Sequence, residues 1–359
     1  MLEERLNPLY ESYGYRRFRM SKFEDYDLYA QNKDFLRRGN IITFTDADGS
    51  LKALKPDITL SIIKNNTGDT EKVYYNENVY REMGGTFREI LQIGVESVGA
   101  IDPYAQAEVI ALAARTLETI SPDYVLDLSD VSFVGCLLDG MALTDGRREQ
   151  VLALMAQKNA PGIQAMAREG RLTAENAAVL LELMELYAPL REGIAQAEAL
   201  ARDEASRQAL RQLSRTADIL AAFGLEDRIR LDFSLMNSLD YYNGVIFQGF
   251  LPNVPVLALS GGRYDPLPRK MGKDVGAIGF ALYTGRLEES LRQERQYDVD
   301  LLLTYGPEDD PAELAALASR VRAKGYSVRC QEEGALAAPI RCRKTVRYTR
   351  GCSPEEVLS

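Results

Sequence analysis

From about residue 147 to residue 224 the chain is written in Ala, Leu, Glu, Arg and Gln with apolar side chains at helical spacing, while the sequence on either side alternates strand signals with turns. Such a chain can be neither a helical bundle nor a β-sandwich. Ala177, Leu180, Leu181, Met184, Leu186 and Tyr187 mark the helical stripe, and the block has room for about four helices. Before it, residues 41–45 and 51–54 read as a hairpin closed around Asp48 and Gly49. Strands are expected at 72–75 and 88–96 around Gly84 and Gly85, a helix at 104–121 behind Asp102 and Pro103, and a strand at 124–128. After it come a strand at 229–233, a glycine turn at 260–265 and a strand entering a helix at 276–287. The pattern is α+β with an antiparallel sheet and a helical insertion. Strand 299–303, helix 311–324 and strand 327–329 then form a small α/β unit. The expected boundaries are a core over 1–295, with the insertion at about 147–224, and an abbreviated C-terminal domain over 296–359.

At 359 residues and 46% hydrophobic content the chain can bury a sizeable core. No apolar window approaches the roughly 18 residues of a membrane span, and residues 1–5 lack the basic-then-apolar order of a signal peptide. The cytoplasm is the expected compartment. Cys136, Cys330, Cys342 and Cys352 are scattered, so neither a zinc site nor a disulfide framework is expected. Histidine is absent, which removes imidazole bases and imidazole metal ligands together. A net charge of −10 weighs against a dedicated nucleic-acid binder. One basic cluster, Arg341, Arg343, Lys344, Arg347 and Arg350, reads as a solvated edge strand or tail.

Three short segments carry the chemistry: Leu54-Lys-Pro-Asp-Ile-Thr59, Gln92-Ile-Gly-Val-Glu96 and Gly261-Gly-Arg-Tyr-Asp-Pro-Leu267. A fourth runs from Leu235 through Asn237, Asp240, Tyr241 and Tyr242 to Phe247. Asp57, Thr59 and Gln92 could accept from an ammonium; Glu96 with the hydroxyls of Tyr242 and Tyr264 could hold an imidazole ring. Gln92 and Glu96 share one face of a strand through their even spacing. Tyr241 and Tyr242 would point to opposite faces, one of them into the core. Taken singly, Asp57 also reads as a helix cap.

In this order the segments resemble the class II catalytic domain of histidyl-tRNA synthetases: Arg-Pro-Glu-Gly-Thr, Gln-x-Gly-x-Glu, Leu-Val-Arg-Gly-Leu-Asp-Tyr-Tyr and Gly-Gly-Arg-Tyr-Asp-Gly-Leu. The resemblance covers residues 1 to about 295. It implies a histidine pocket of Asp57, Thr59, Gln92, Glu96, Tyr242 and Tyr264. It also implies a vestigial ATP site, in which Arg81 and Arg286 stand for the family's phosphate-binding arginines. Asn237 stands where the family has the arginine beside the reacting carboxylate, a loss of several kcal/mol of transition-state stabilisation, about that of an oxyanion-hole donor or more. The acidic place near the adenine falls on Met83, with Glu82 as a substitute after a register shift. Tyr283 replaces a glycine of motif 3 and narrows the nucleotide side. Ser21 takes the place of the motif 1 proline.

A pocket kept and an activation apparatus lost is the pattern of the synthetase's paralogues, the regulatory subunits of ATP phosphoribosyltransferase in the first step of histidine biosynthesis. Lys55-Pro-Asp-Ile-Thr59 and residues 126–133 are similar to their versions. The resemblance implies free histidine as effector, the short-form catalytic subunit as partner, and a homodimer within a hetero-octamer. It calls for no catalytic residue, cofactor or metal, and makes tRNA and membrane unlikely partners. The alternative is a diverged histidyl-tRNA synthetase or amino-acid ligase that activates histidine with ATP.

Overall fold

The computed structural model describes residues 2–36, 40–236, 241–252, 254–285, 287, 297–334 and 340–358. They fall into two compact units, Met1–Glu288 and Glu289–Ser359.

In chain order the larger unit opens with α1 (Leu2–Ser12), β1 (Arg16–Arg17), β2 (Phe23–Asp25) and α2 (Tyr26–Ala30). The hairpin β3 (Thr43–Thr45) and β4 (Leu51–Leu54) follows, then α3 (Thr59–Asn65). β5 (Glu71–Met83) and β6 (Thr86–Gly99) form one long antiparallel hairpin, followed by α4 (Pro103–Ile120), β7 (Val125–Asp130) and α5 (Val131–Gly140). Next come α6 (Asp145–Ala156), α7 (Ala160–Arg168), α8 (Ala174–Glu185), β8 (Tyr187–Pro189), α9 (Leu190–Glu198) and α10 (Glu204–Ala222). β9 (Ile229–Asp232), β10 (Val245–Phe250), β11 (Leu259–Arg263), α11 (Pro266–Lys270) and β12 (Gly276–Tyr283) complete it.

Nine strands form one sheet in the order β1-β5-β6-β12-β11-β10-β7-β9-β8. Its centre is antiparallel, as the sequence pattern requires, and parallel pairings occur at β1 with β5 and at β7 with β9. One face packs on α4. There Ile93, Val95, Leu126, Leu128, Phe247, Leu259, Phe280 and Leu282 meet Ile110, Ala113 and Leu117 in the main core, each large aliphatic side chain contributing about 1.5–3 kcal/mol by leaving water. The packing is close enough that a β-carbon on Gly249 would sit 2.5 Å from the Leu117 side chain. Asp102 caps α4 by accepting from the Ala105 amide, with Pro103 opening the helix.

Three expectations are corrected. The block at 147–224 holds five helices rather than four. It is not wholly helical either, because β8 interrupts it and pairs with β9. α8 ends at Glu185 with Leu186 as its cap, and Tyr187 is already in the strand, followed by Ala188, which as the residue before Pro189 is biased away from helical backbone. Val151, Met155, Leu180, Leu183, Leu213 and Leu220 of these helices are buried in the main core. Finally, Gly261 and Gly262 lie inside β11, not in a turn; they are there because neighbouring groups approach closely, as shown below.

The smaller unit has a parallel sheet in the order β14-β13-β15, with β13 (Val299–Tyr305), β14 (Val328–Glu332) and β15 (Cys342–Arg347), and a helix over Pro311–Ala323. The βαβ unit thus gains a third strand. The basic cluster falls on and beside edge strand β15, where acids of the same unit answer it: Arg341 pairs with Asp298, Arg347 with Glu308, Asp309 and Glu333, and Arg350 with Glu313. Among the described residues no helix is long and apolar enough to cross a membrane.

Candidate functional site

Cross-strand register builds the site on the sheet face away from α4. Residues directly opposite in an antiparallel ladder share a face, so Glu96 opposite Gly279, Gly94 opposite Ala281 and Gln92 opposite Tyr283 form one polar strip. β11 continues it with Gly262 opposite Gly279 and Ser260 opposite Ala281. On the other side, β5 contributes Tyr75 opposite Gly94 and Glu77 opposite Gln92.

Glycines create the space. A β-carbon on Gly279 would lie 1.7 Å from Oε2 of Glu96, and one on Gly94 would lie 2.5 Å from the Tyr75 hydroxyl. On Gly262 it would strike the Tyr242 ring at 2.7 Å, and on Gly261 the Gly279 carbonyl at 2.4 Å. Gly279 of β12 and Gly262 of β11 therefore let a carboxylate and an aromatic ring lie flat on this face, while Gly261 makes room for Phe247 and Phe280 on the other.

Glu96 is 3% exposed and has both carboxylate oxygens engaged. Thr59 donates its hydroxyl to Oε1 at 2.9 Å and Tyr264 to Oε2 at 2.5 Å. Burial pushes the Glu96 carboxyl up to about 8; the two hydroxyls oppose the rise and the charge of Asp57 adds to it. Burial and the neighbouring Glu96 in turn push the Tyr264 hydroxyl well above its ordinary range.

Asp57 precedes α3. Its Oδ1 accepts from the Leu60 amide at 3.0 Å, so it does serve as a cap, and its Oδ2 is left to face Arg81 at 3.8 Å. Arg81 is anchored by its Nε, which donates to the Pro56 carbonyl at 2.7 Å, and its Nη2 lies 3.5 Å from Oε1 of the buried Gln92. Thr59 is buried at the start of α3 and turns to Glu96, away from the ammonium role read for it beside Asp57 and Gln92.

The two adjacent tyrosines do not alternate across a strand. They precede β10, and their rings meet edge to face with centroids 4.7 Å apart. Both are half-buried against the same apolar cluster. Tyr241 also lies 5.4 Å from the Tyr264 ring. Its hydroxyl is raised by burial and by Asp57, Tyr242 and Glu96, with a hydroxyl contact to Thr59 opposing, so Tyr241 is a member of the site. Sequence reasoning passed over Tyr241 because it assumed a pleated strand, and over Tyr75 because a tyrosine in a strand is normally core. The register of Tyr75 against Gly94 is the signal that could have found it.

On the nucleotide side, the Tyr283 hydroxyl is hydrogen-bonded to Ser260 Oγ at 2.6 Å. Met83 is exposed at the hairpin tip, and the Glu82 carboxylate accepts from the backbone and side-chain amides of Asn40. Asn237 and Arg286 lie outside the described residues. Thus the site holds two bonded groups, Thr59 with Glu96 and Tyr264 and Asp57 with Arg81 and Gln92, coupled through the charge of Asp57 on Glu96, with Tyr242 at the edge over Gly262.

A family model described as Histidyl-tRNA synthetase matches residues 1–287. A protein of Caldanaerobacter subterraneus subsp. tengcongensis named ATP phosphoribosyltransferase regulatory subunit is 30% identical over 303 residues, which are 82% of this chain and 78% of that protein. A solved Bacillus halodurans structure, described as an ATP phosphoribosyltransferase regulatory subunit/histidyl-tRNA synthetase, superposes with a TM-score of 0.79 at 23% identity, covering 96% of this chain and 92% of that one. A chain of the ATP phosphoribosyl transferase (HisG:HisZ) complex from Thermotoga maritima gives 0.63 at 17% identity, covering 79% and 97%. At these identities the two structures speak for the fold alone. With a family model over most of its length and a relative at 30% identity, the chain belongs to the histidyl-tRNA synthetase family, among its ATP phosphoribosyltransferase regulatory subunits.

Proposed function

We propose that this chain is the regulatory subunit of an ATP phosphoribosyltransferase acting at the first step of histidine biosynthesis, and that it binds free histidine through Asp57, Thr59, Gln92, Glu96, Tyr242 and Tyr264. The transferase reaction belongs to a short-form catalytic subunit, and the present chain supplies regulation and assembly, as a homodimer within a hetero-octamer in the cytoplasm. What carries the reading is a contrast within one site. The amino-acid end keeps acceptors for an ammonium and a buried carboxyl for a ring, whereas the nucleotide end has an exposed Met83 in its acidic place and Tyr283 bonded across to Ser260. The names of the relatives fit the same division.

Histidine regulates only if it binds two states of the complex unequally. Calorimetric titration of the chain with histidine and with ATP, before and after adding the short catalytic subunit, tests the proposal. Histidine binding and complex formation without histidine-dependent pyrophosphate exchange are the expected results. Exchange by the purified chain would instead make it a synthetase, and equal histidine affinity in the active and inhibited complexes would remove the regulatory role.

A further inference from the structure

We infer that Tyr75 reads the ring of the ligand, its hydroxyl donating to the ring nitrogen nearer the α-carbon while Glu96 holds the farther one; the inference rests on the function proposed above. Gln92, Gly94 and Glu96 follow one another along a single face of β6. Tyr75 stands opposite Gly94, midway between the other two. Its ring lies over that glycine: a β-carbon there would be 2.5 Å from the hydroxyl and 2.6 Å from the carbon that bears it. Tyr75 is 2% exposed, and among the described residues its hydroxyl has a single hydrogen bond, 3.5 Å to the Phe280 carbonyl. A good O–H···O bond is about 2.5–3.0 Å long. Buried hydroxyls normally have a well-formed partner, so Tyr75 brings an underused donor to the middle of the site. Burial, with the charges of Glu96 and Asp57, pushes this hydroxyl well above the ordinary phenol range, which keeps its proton in place.

The order of the groups decides which ligand atom meets it. An α-amino acid whose ammonium lies at Asp57 and Gln92 and whose ring reaches Glu96 crosses Gly94 and the Tyr75 hydroxyl on the way. In the imidazole of histidine one nitrogen is next to the point of attachment and the other is remote from it. The remote nitrogen belongs to Glu96. Each of its oxygens takes one hydroxyl, from Thr59 and from Tyr264, and a carboxylate oxygen so engaged keeps a lone pair for a ring N–H. The near nitrogen of that tautomer carries no proton and must accept, and Tyr75 is the donor at that point of the span. A ring with carbon in the near position would leave Tyr75 on its long bond to Phe280.

Calorimetry on the full chain with histidine and with 4-pyrazolylalanine tests this in the wild type and in Tyr75→Phe; the analogue keeps a remote N–H and has carbon in the near position. The wild type should bind histidine about tenfold more tightly than the analogue, the scale of one hydrogen bond. Tyr75→Phe should weaken histidine about tenfold and leave the analogue within about twofold, bringing their ratio near one. The variant should also melt like the wild type, because the bond it removes is a poor one. A wild-type ratio below about two overturns the inference without any variant. Equal weakening of both ligands by Tyr75→Phe makes Tyr75 a structural support and overturns it, and so does a variant that fails to fold, since its hydroxyl would then already be well used in the free chain. A wild-type chain that binds neither ligand overturns the functional reading itself, whereas histidine binding with a ratio unmoved by Tyr75→Phe overturns the role of Tyr75 alone.

Discussion

Glu96 holds a carboxyl in a place where ionisation is opposed, and this has a measurable sign. Its titration point in the folded chain is about 8 against an ordinary 4.5. Between those values the folded state carries a proton that the unfolded state has released, so Glu96 contributes fully below about 4.5 and that contribution is lost as pH rises through 8. Relative to Glu96→Gln, the wild type should lose on the order of a few kcal/mol between pH 5 and pH 9 in urea unfolding; parallel pH profiles would show that the group does not titrate there. At this scale the sequence was informative where spacing alone fixed the neighbours. Gln92 and Glu96 share a face because a strand has period two, and Thr59 follows Asp57 into a helix start. It was uninformative where contacts are long-range. Nothing local in Thr59 indicates that its hydroxyl turns to a carboxylate 37 positions away.

Glycine means different things in different elements, and the hairpins show why some turns could be read and others not. Gly84 and Gly85 join β5 to β6 with φ of +59° and +79°, the two-residue geometry that matches strand twist. The Gly-Gly pair in β11 looks identical in sequence and is there for close approach instead. Period and composition cannot separate the two uses. They differ in consequence. Gly85→Ala should destabilise by about 1 kcal/mol through its left-handed backbone, although nothing crowds it. Gly146→Ala, in α6 with open space around it, should stabilise by roughly 0.4–1 kcal/mol. Paired denaturant melts check the opposite signs; two changes of the same sign would contradict the backbone assignment. β8 was missed for a related reason, since three residues are too few for periodicity to register against the helices around them.

At the scale of the molecule, the larger unit carries the nine-stranded sheet and two of the three apolar clusters, while the smaller keeps its own core of Leu301, Leu303, Leu314, Leu317 and Val321. A unit with its own core can melt by itself. Scanning calorimetry should resolve two transitions, and a chain ended at residue 288 should retain the larger one; a single transition abolished by the truncation would mean that the cores fold as one. The broad architecture was legible because a switch from strand signals to helical signals survives without knowledge of contacts. The sheet order was not, because β7, β9 and β8 are joined to it through helices whose lengths say nothing of where the chain returns. One consequence concerns light. The chain has 19 tyrosines and no tryptophan, so its ultraviolet emission is tyrosine emission. Tyr241, Tyr242 and Tyr264 stand within exciton-transfer range of one another, and the Tyr264 hydroxyl rests on the Glu96 carboxyl, a quenching arrangement. The candidate site is thus an intrinsic optical sink, whose brightness would report the occupancy of the pocket with no label attached.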